Sequence, residues 1–217
     1  MGRIATRKRE RRQSRWLRRL QLLRKRLVTL QHASWAAIAV ISLSAAHAAA
    51  STETSVVAQT ALVNQDGRSF SLASLRGTPL VVTFVAAHCT DACPLINAQF
   101  AQAAQLLQQR RIHARLLTIT LDPEHDSLRD MQYIAHTFSA HRSQWVVATG
   151  SNANVHTVMR AFDVVAQQGK DGYADVHTTY VYLLDRHGRL RKTVPASTAL
   201  AEQIAAEVAA AWQELSA

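Results

Sequence analysis

The sequence predicts a single α/β domain, a three-layer sandwich, carried behind a tail of different composition. Three observations lead there. Apolar, β-branched runs alternate with longer runs that lack helix breakers. The last strand signals are joined by a tight turn and followed by an Ala- and Glu-rich helix pattern. Once the tail is set aside, about 150 residues remain, enough to bury a core without disulfides or metals as staples.

The tail comes first. Residues 1–26 hold twelve Lys/Arg against Glu10 alone, while the rest of the chain has 13 basic and 14 acidic residues. The net charge of +10 therefore belongs to the tail, and the body is almost neutral. The body has no basic helix with interleaved aromatics, so no nucleic-acid partner is expected. Residues 1–50 read as a basic signal peptide or membrane anchor. A charged start leads to an apolar stretch, Ala33 to Ala46, and then to Ala46-His47-Ala48-Ala49-Ala50, where two A-x-A patterns suit cleavage. An uncleaved anchor through residues 27–50 is the alternative; its apolar stretch is short for a ~20-residue span. A basic amphipathic helix at Trp16 to Leu30, lying on anionic lipid, is a third reading. Signal or anchor, the basic end stays cytoplasmic and the body is exported, periplasmic and either soluble or tethered to the inner membrane. No third cysteine is present to carry a lipid.

Residues 51–60 are polar and aperiodic, a linker, and 61–217 form the domain. Ala61 to Leu72 alternates around Asp66-Gly67, an N-terminal β-hairpin signal. Strands are expected at Leu80 to Val85, Ala114 to Leu121, Trp145 to Thr149 and Thr178 to Leu184, the last returning through Asp185-Arg186-His187-Gly188 as Leu190 to Val194. Helices are expected at Ala92 to Gln109, Ser127 to Ser139, Ser151 to Phe162 and Thr198 to Leu215. Asp126 or Ser127 should cap the second, and Ser197 or Thr198 the C-terminal helix.

The only two cysteines, Cys89 and Cys93, lie between the Leu80 strand and the Ala92 helix in a C-x-x-x-C-P stretch. Pro94 suits the first turn of that helix. Peptide dipoles at a helix N-terminus favour thiolate over thiol. If residues 89–93 make a helical turn, both sulfurs share a face. Such a pair can bind a soft metal or close to a disulfide. A structural disulfide, or two small buried apolar side chains, is the bland alternative.

Phe84, His88, Cys89, Asp91, Cys93 and Pro94 reproduce a pattern F-x-x-x-H-C-x-D-x-C-P that resembles the Sco/SenC family of copper chaperones. Two further stretches share the resemblance, which covers roughly residues 60 to 195: Asp122-Pro123-Glu124-His125-Asp126 and Asp175-Val176-His177-Thr178. The opening from Asp66-Gly67 to the Leu80 strand is similar to that of the wider thioredoxin-like superfamily, so the resemblance implies a thioredoxin-like sandwich. It also implies copper, as Cu(I) or Cu(II), held by Cys89, Cys93 and His177, with delivery to the copper-accepting subunit of cytochrome c oxidase during its assembly. An upstream copper donor or a thiol reductant would be a further partner. Asp and Val are transposed relative to the usual V-D-H-T, which shifts Asp175 away from its family position. Thr90 stands where the family often has Pro.

The neighbours of the motif have ordinary roles as well. His88 adjoins Cys89 but should point to the opposite face, or outwards. Asp91 should cap the helix. Asp122 lies in a loop at a strand's C-terminal end, on the rim where open α/β sheets bind ligands; it reads as part of a turn and cap ahead of any role near a metal. His88, Asp91, Asp122 and Asp175 are thus candidates for orienting the ligands. The leading reading is metal delivery rather than enzymatic catalysis. The competing readings are a thiol–disulfide reductase that keeps the acceptor's cysteines reduced, with Cys89 and Cys93 as its redox-active disulfide, and a copper or redox sensor. Against the reductase stand the C-x-x-x-C spacing and the lack of any Pro between residues 124 and 194.

Overall fold

In the computed structural model the chain divides into two units, Met1–Glu53 and Thr54–Ala217. The described residues are 57–177 and 179–213, and the side chains of 175–177 and 212–213 are not among them. The signal or anchor at 1–50 and most of the linker fall outside. Among the described residues no helix is long and apolar enough to cross a membrane.

The predicted alternation of elements is present. A hairpin of β1 (Ala61–Asn64) and β2 (Ser69–Ser71) turns at Gly67, whose φ of 74° only glycine adopts without strain. Asn64 Oδ1 accepts from the amides of Asp66 and Arg68 and fixes that turn. A 3-10 turn at Leu72–Leu75 leads into β3 (Leu80–Val85), every residue of which is buried. Then follow α1 (Ala92–Gln109), β4 (Arg115–Thr120), α2 (Leu128–Thr137), β5 (Trp145–Thr149) and α3 (Asn152–Ala161). The chain ends with β6 (Ala166–Gln168), β7 (Ala174–His177), β8 (Tyr180–Leu184), β9 (Leu190–Pro195) and α4 (Leu200–Gln213).

Among the described residues seven strands form one sheet in the order β2-β1-β5-β4-β3-β8-β9. Strands β3, β4 and β5 run parallel, and β8 is antiparallel to β3. Alternate residues of each strand feed opposite layers. Val81, Val85, Leu116, Trp145, Val147, Val181 and Leu183 pack with α1, α2 and α4. Val82, Phe84, Leu117, Ile119, Val146 and Tyr182 pack with α3 and the 3-10 turn. Those are the three layers, and the α/β thioredoxin-like sandwich expected from the sequence is the fold observed.

Two readings need correction. β6 and β7 form a separate two-stranded ribbon that the sequence reading missed. His177 therefore ends β7, and the long strand expected from Thr178 begins at Tyr180. The ribbon's strands are only three and four residues long, too short for an alternation such as Ala174-Asp175-Val176-His177 to stand out as a strand signal. Of the two caps expected for α2, Ser127 is the one used, in a reciprocal capping box with Asp130. At the start of α4, the Ala201 amide donates to Gln99 Oε1 of α1 at 3.0 Å, so a neighbouring helix satisfies a terminal N–H.

Candidate metal centre

Parallel strands bring their C-terminal ends to one rim. Val85 pairs with Thr120, so the segments leaving β3 and β4 emerge side by side. The first is the cysteine loop, residues 86–91; the second is the loop Leu121 to Asp126. Because β8 is antiparallel to β3, its N-terminal end lies at the same rim. There Val181 opposes Thr83, whose hydroxyl donates to the Tyr180 carbonyl at 3.3 Å. His177 precedes β8 with only residues 178 and 179 between them.

The cysteine loop turns sharply: the Cys89 amide donates to the Ala86 carbonyl at 3.2 Å. Cys93 sits in the first turn of α1 and is 2% exposed. Cys89 lies ahead of the helix, half-buried, and touches the cores on both sides of the sheet. The pair meets, but not through the helical turn that the spacing suggested. The thiols are not joined as a disulfide, and they hydrogen-bond each other. The Ala86 amide donates to Cys93 Sγ at 3.4 Å. Burial pushes the Cys93 thiol far up; the hydrogen bond with Cys89 and the nearby charges of Cys89 and Asp126 add to this, against the Ala86 amide. The expected thiolate-favouring effect of the helix end is thus outweighed by desolvation at Cys93.

Asp91 occupies the N-cap position of α1 but is exposed, and its side chain makes no capping bond. Its φ and ψ of −110° and −88° lie outside the extended geometry that a capping side chain uses. His88 is exposed, as expected, and its ring packs against Tyr173 with centroids 4.3 Å apart.

The loop after β4 does more than turn the chain. Asp126 is 3% exposed. It accepts from the Ala87 amide through both oxygens, at 3.0 and 3.2 Å, and from the Thr120 hydroxyl at 2.6 Å. It therefore grips the cysteine loop two residues before Cys89. Burial pushes its carboxyl above the usual range, opposed by those hydrogen bonds. Asp122, also buried, accepts from His125 Nδ1 at 2.8 Å and from the Ala174 amide at 3.1 Å. It grips the ribbon at the start of the strand that ends in His177. The hydrogen bond to Asp122 raises the His125 pKa. Sequence reasoning missed the bracing role of Asp126; its signal was a second aspartate four residues after Asp122 on the rim.

The structure thus brings Cys89 and Cys93 together and ties both their loop and the His177 ribbon to one acidic loop. The side chains of Asp175 and His177 lie outside the described residues. Among those described, no group of three His, Cys, Asp or Glu side chains is arranged to hold a metal.

Comparison with known proteins bears on this geometry. The SCO1/SenC family model matches residues 48–213. The SCO1 protein homolog of Bacillus subtilis is 24% identical over 131 residues, 59% of this chain and 68% of that protein. The chain spans about two thirds of the length of the curated relatives it matches. Bradyrhizobium japonicum ScoI, solved with copper bound, superposes with a TM-score of 0.61 at 26% identity, covering 70% of this chain and 96% of that one. BsSco is described as carrying a disulfide switch and as a member of the Sco family of cytochrome c oxidase assembly proteins. It superposes with a TM-score of 0.60 at 23% identity, over 70% of this chain and 90% of that one.

Proposed function

Because the chain belongs to the SCO1/SenC family, we propose that it carries copper and delivers it to the copper centre of cytochrome c oxidase during assembly. The ion is cargo, held by Cys89, Cys93 and His177. One observation carries the reading: two thiols in hydrogen-bonding contact at the sheet rim, one buried and one half-buried. A pair of adjacent sulfurs suits a soft ion such as Cu(I), and an imidazole completes a low-coordinate site. Binding displaces the thiol protons, so loading releases acid.

Transfer follows from the unequal burial. Cys89 is the ligand that an incoming group can approach. An acceptor thiolate attacks the metal beside Cys89 while Cys93, deeper in the fold, still holds it. Asp126 keeps the cysteine loop in place during the exchange. We place the body in the periplasm, soluble or tethered to the inner membrane, with residues 1–50 as signal peptide or anchor.

The contact between the thiols also suits a reversible disulfide, and a reductase acting on the acceptor's cysteines would use the same pair without His177. Copper titration followed by absorbance and native mass separates the readings. The wild type should bind one copper, Cys89→Ser and Cys93→Ser should lose it, and His177→Ala should weaken it while leaving thiol–disulfide exchange intact. One-to-one binding that survives in all three variants rules the site out.

A further inference from the structure

The β6–β7 ribbon carries His177 yet is not part of the main sheet. A two-stranded ribbon of three and four residues holds its place weakly by itself. Its fixings to the rim therefore decide where its end lies. One is the Asp122–Ala174 bond. A second is Ala174 itself, 6% exposed in the core that packs with α3, with Ala166 against that core. A third is Tyr173, the residue just before β7. Its ring contacts two imidazoles: centroids 4.3 Å from the His88 ring at 48°, and 4.7 Å from the His125 ring at 55°.

We propose that Tyr173 is a positioning residue for copper, an aromatic clasp that registers the His177 ribbon against the cysteine loop. The proposal rests on the reading of His177 as the third ligand.

Three chain segments meet at this one ring. His88 is bonded in sequence to Cys89. His125 belongs to the acidic loop and is held by Asp122, whose second oxygen binds the amide of Ala174, Tyr173's own neighbour. The contacts close a circuit from Tyr173 through His125, Asp122 and Ala174 back to Tyr173, with His88 joined at the same ring. His88 and His125 are exposed and Tyr173 is half-buried. The clasp is thus a surface device that the core does not need. Offset, tilted ring pairs of this kind favour one arrangement over sliding. Groups that orient a ligand typically change metal affinity by about 10–100-fold when removed. Asp122 remains after Tyr173 is cut back, so the lower end of that range applies.

The test uses the full chain, loaded with Cu(I) in competition with a chelator and with Cu(II) for paramagnetic resonance. Tyr173→Ala should weaken Cu(I) binding about tenfold and diminish the nitrogen coupling. Tyr173→Phe keeps the ring and should stay within about twofold of wild type. His177→Ala should lose the nitrogen coupling altogether. If Tyr173→Ala binds and couples like wild type while His177→Ala does not, the clasp is overturned and the ligand assignment stands. If neither variant changes anything, the ligand assignment fails and the clasp with it. A Tyr173→Phe variant as weak as Tyr173→Ala would place the effect on the hydroxyl and overturn stacking. Thermal melts accompany each variant. Should Tyr173→Ala unfold, His125→Leu removes one ring of the clasp and should weaken copper about threefold; unchanged affinity there overturns the proposal.

Discussion

Replacing Asp126 with alanine removes the carboxylate that joins the cysteine loop to the strand beside it. The side chain is 3% exposed, and water cannot take its place in full. Two donors lose their acceptor: the Ala87 amide and the Thr120 hydroxyl. Each buried donor left unsatisfied costs about 1–3 kcal/mol. Ala87 is half-buried and Thr120 fully buried, so the first takes the low end and the second the middle. Against this, the variant no longer buries a charge whose desolvation raises its own pKa. The net loss should be about 2–3 kcal/mol. With a urea slope of about 2 kcal/mol per molar, the unfolding midpoint falls by about 1 M with the slope unchanged. Asp126→Asn keeps an acceptor for Ala87 and should lose only about 1 kcal/mol. An alanine variant within about 0.5 kcal/mol of wild type would refute the bracing role.

Gln65 is a buried polar side chain that fastens the hairpin to the sheet: its Nε2 donates to the Trp145 carbonyl at 3.2 Å and its Oε1 accepts from the Val147 amide at 3.0 Å. Gln65→Ala should cost about 2 kcal/mol in urea unfolding, and a neutral result would show that water replaces both bonds. Stability against pH should also sag at two ends. His125 has its pKa raised by Asp122, so the stability from that pair is full below about 6.5 and fades as pH rises through the higher folded value; Asp122→Asn should flatten this alkaline decline. At Asp185 burial pushes the pKa up, but bonds from the Arg189 amide and side chain and the His187 amide hold it below the usual 3.8. Its contribution is therefore present above 3.8 and lost as pH falls through the lower folded value, and Asp185→Asn should flatten that acid limb.

Much of the framework was legible because burial leaves a simple mark. Leu80–Val85 and Trp145–Thr149 are buried along their whole length, and continuous apolar runs gave both strands their observed bounds. Ala92–Gln109 was likewise clear, with Pro94 in its first turn. What the sequence hid depends on contacts between distant residues. The ribbon Ala166–Gln168 and Ala174–His177 is too short for its pattern to stand out; Asp122, Tyr173 and the burial of Ala174 hold it, and none of these contacts is visible from its own spacing. Gln65 stands beside an Asp-Gly turn, where polar residues are ordinarily exposed, yet it is buried by pairing with residues some 80 positions on. At the site, the cysteine pair stood out as the only cysteines in the chain. Proximity to the helix end suggested easy thiolate formation, whereas the burial of Cys93, which depends on tertiary packing, acts the other way.

The convergence of Cys89, Cys93 and His177 on one ion is best measured by X-ray absorption at the copper edge of the Cu(I)-loaded chain, wild type beside His177→Ala. The account predicts two sulfur neighbours and one imidazole nitrogen in the wild type, with the nitrogen gone from the variant. A wild-type shell of sulfur alone, or a nitrogen that persists in His177→Ala, would contradict it.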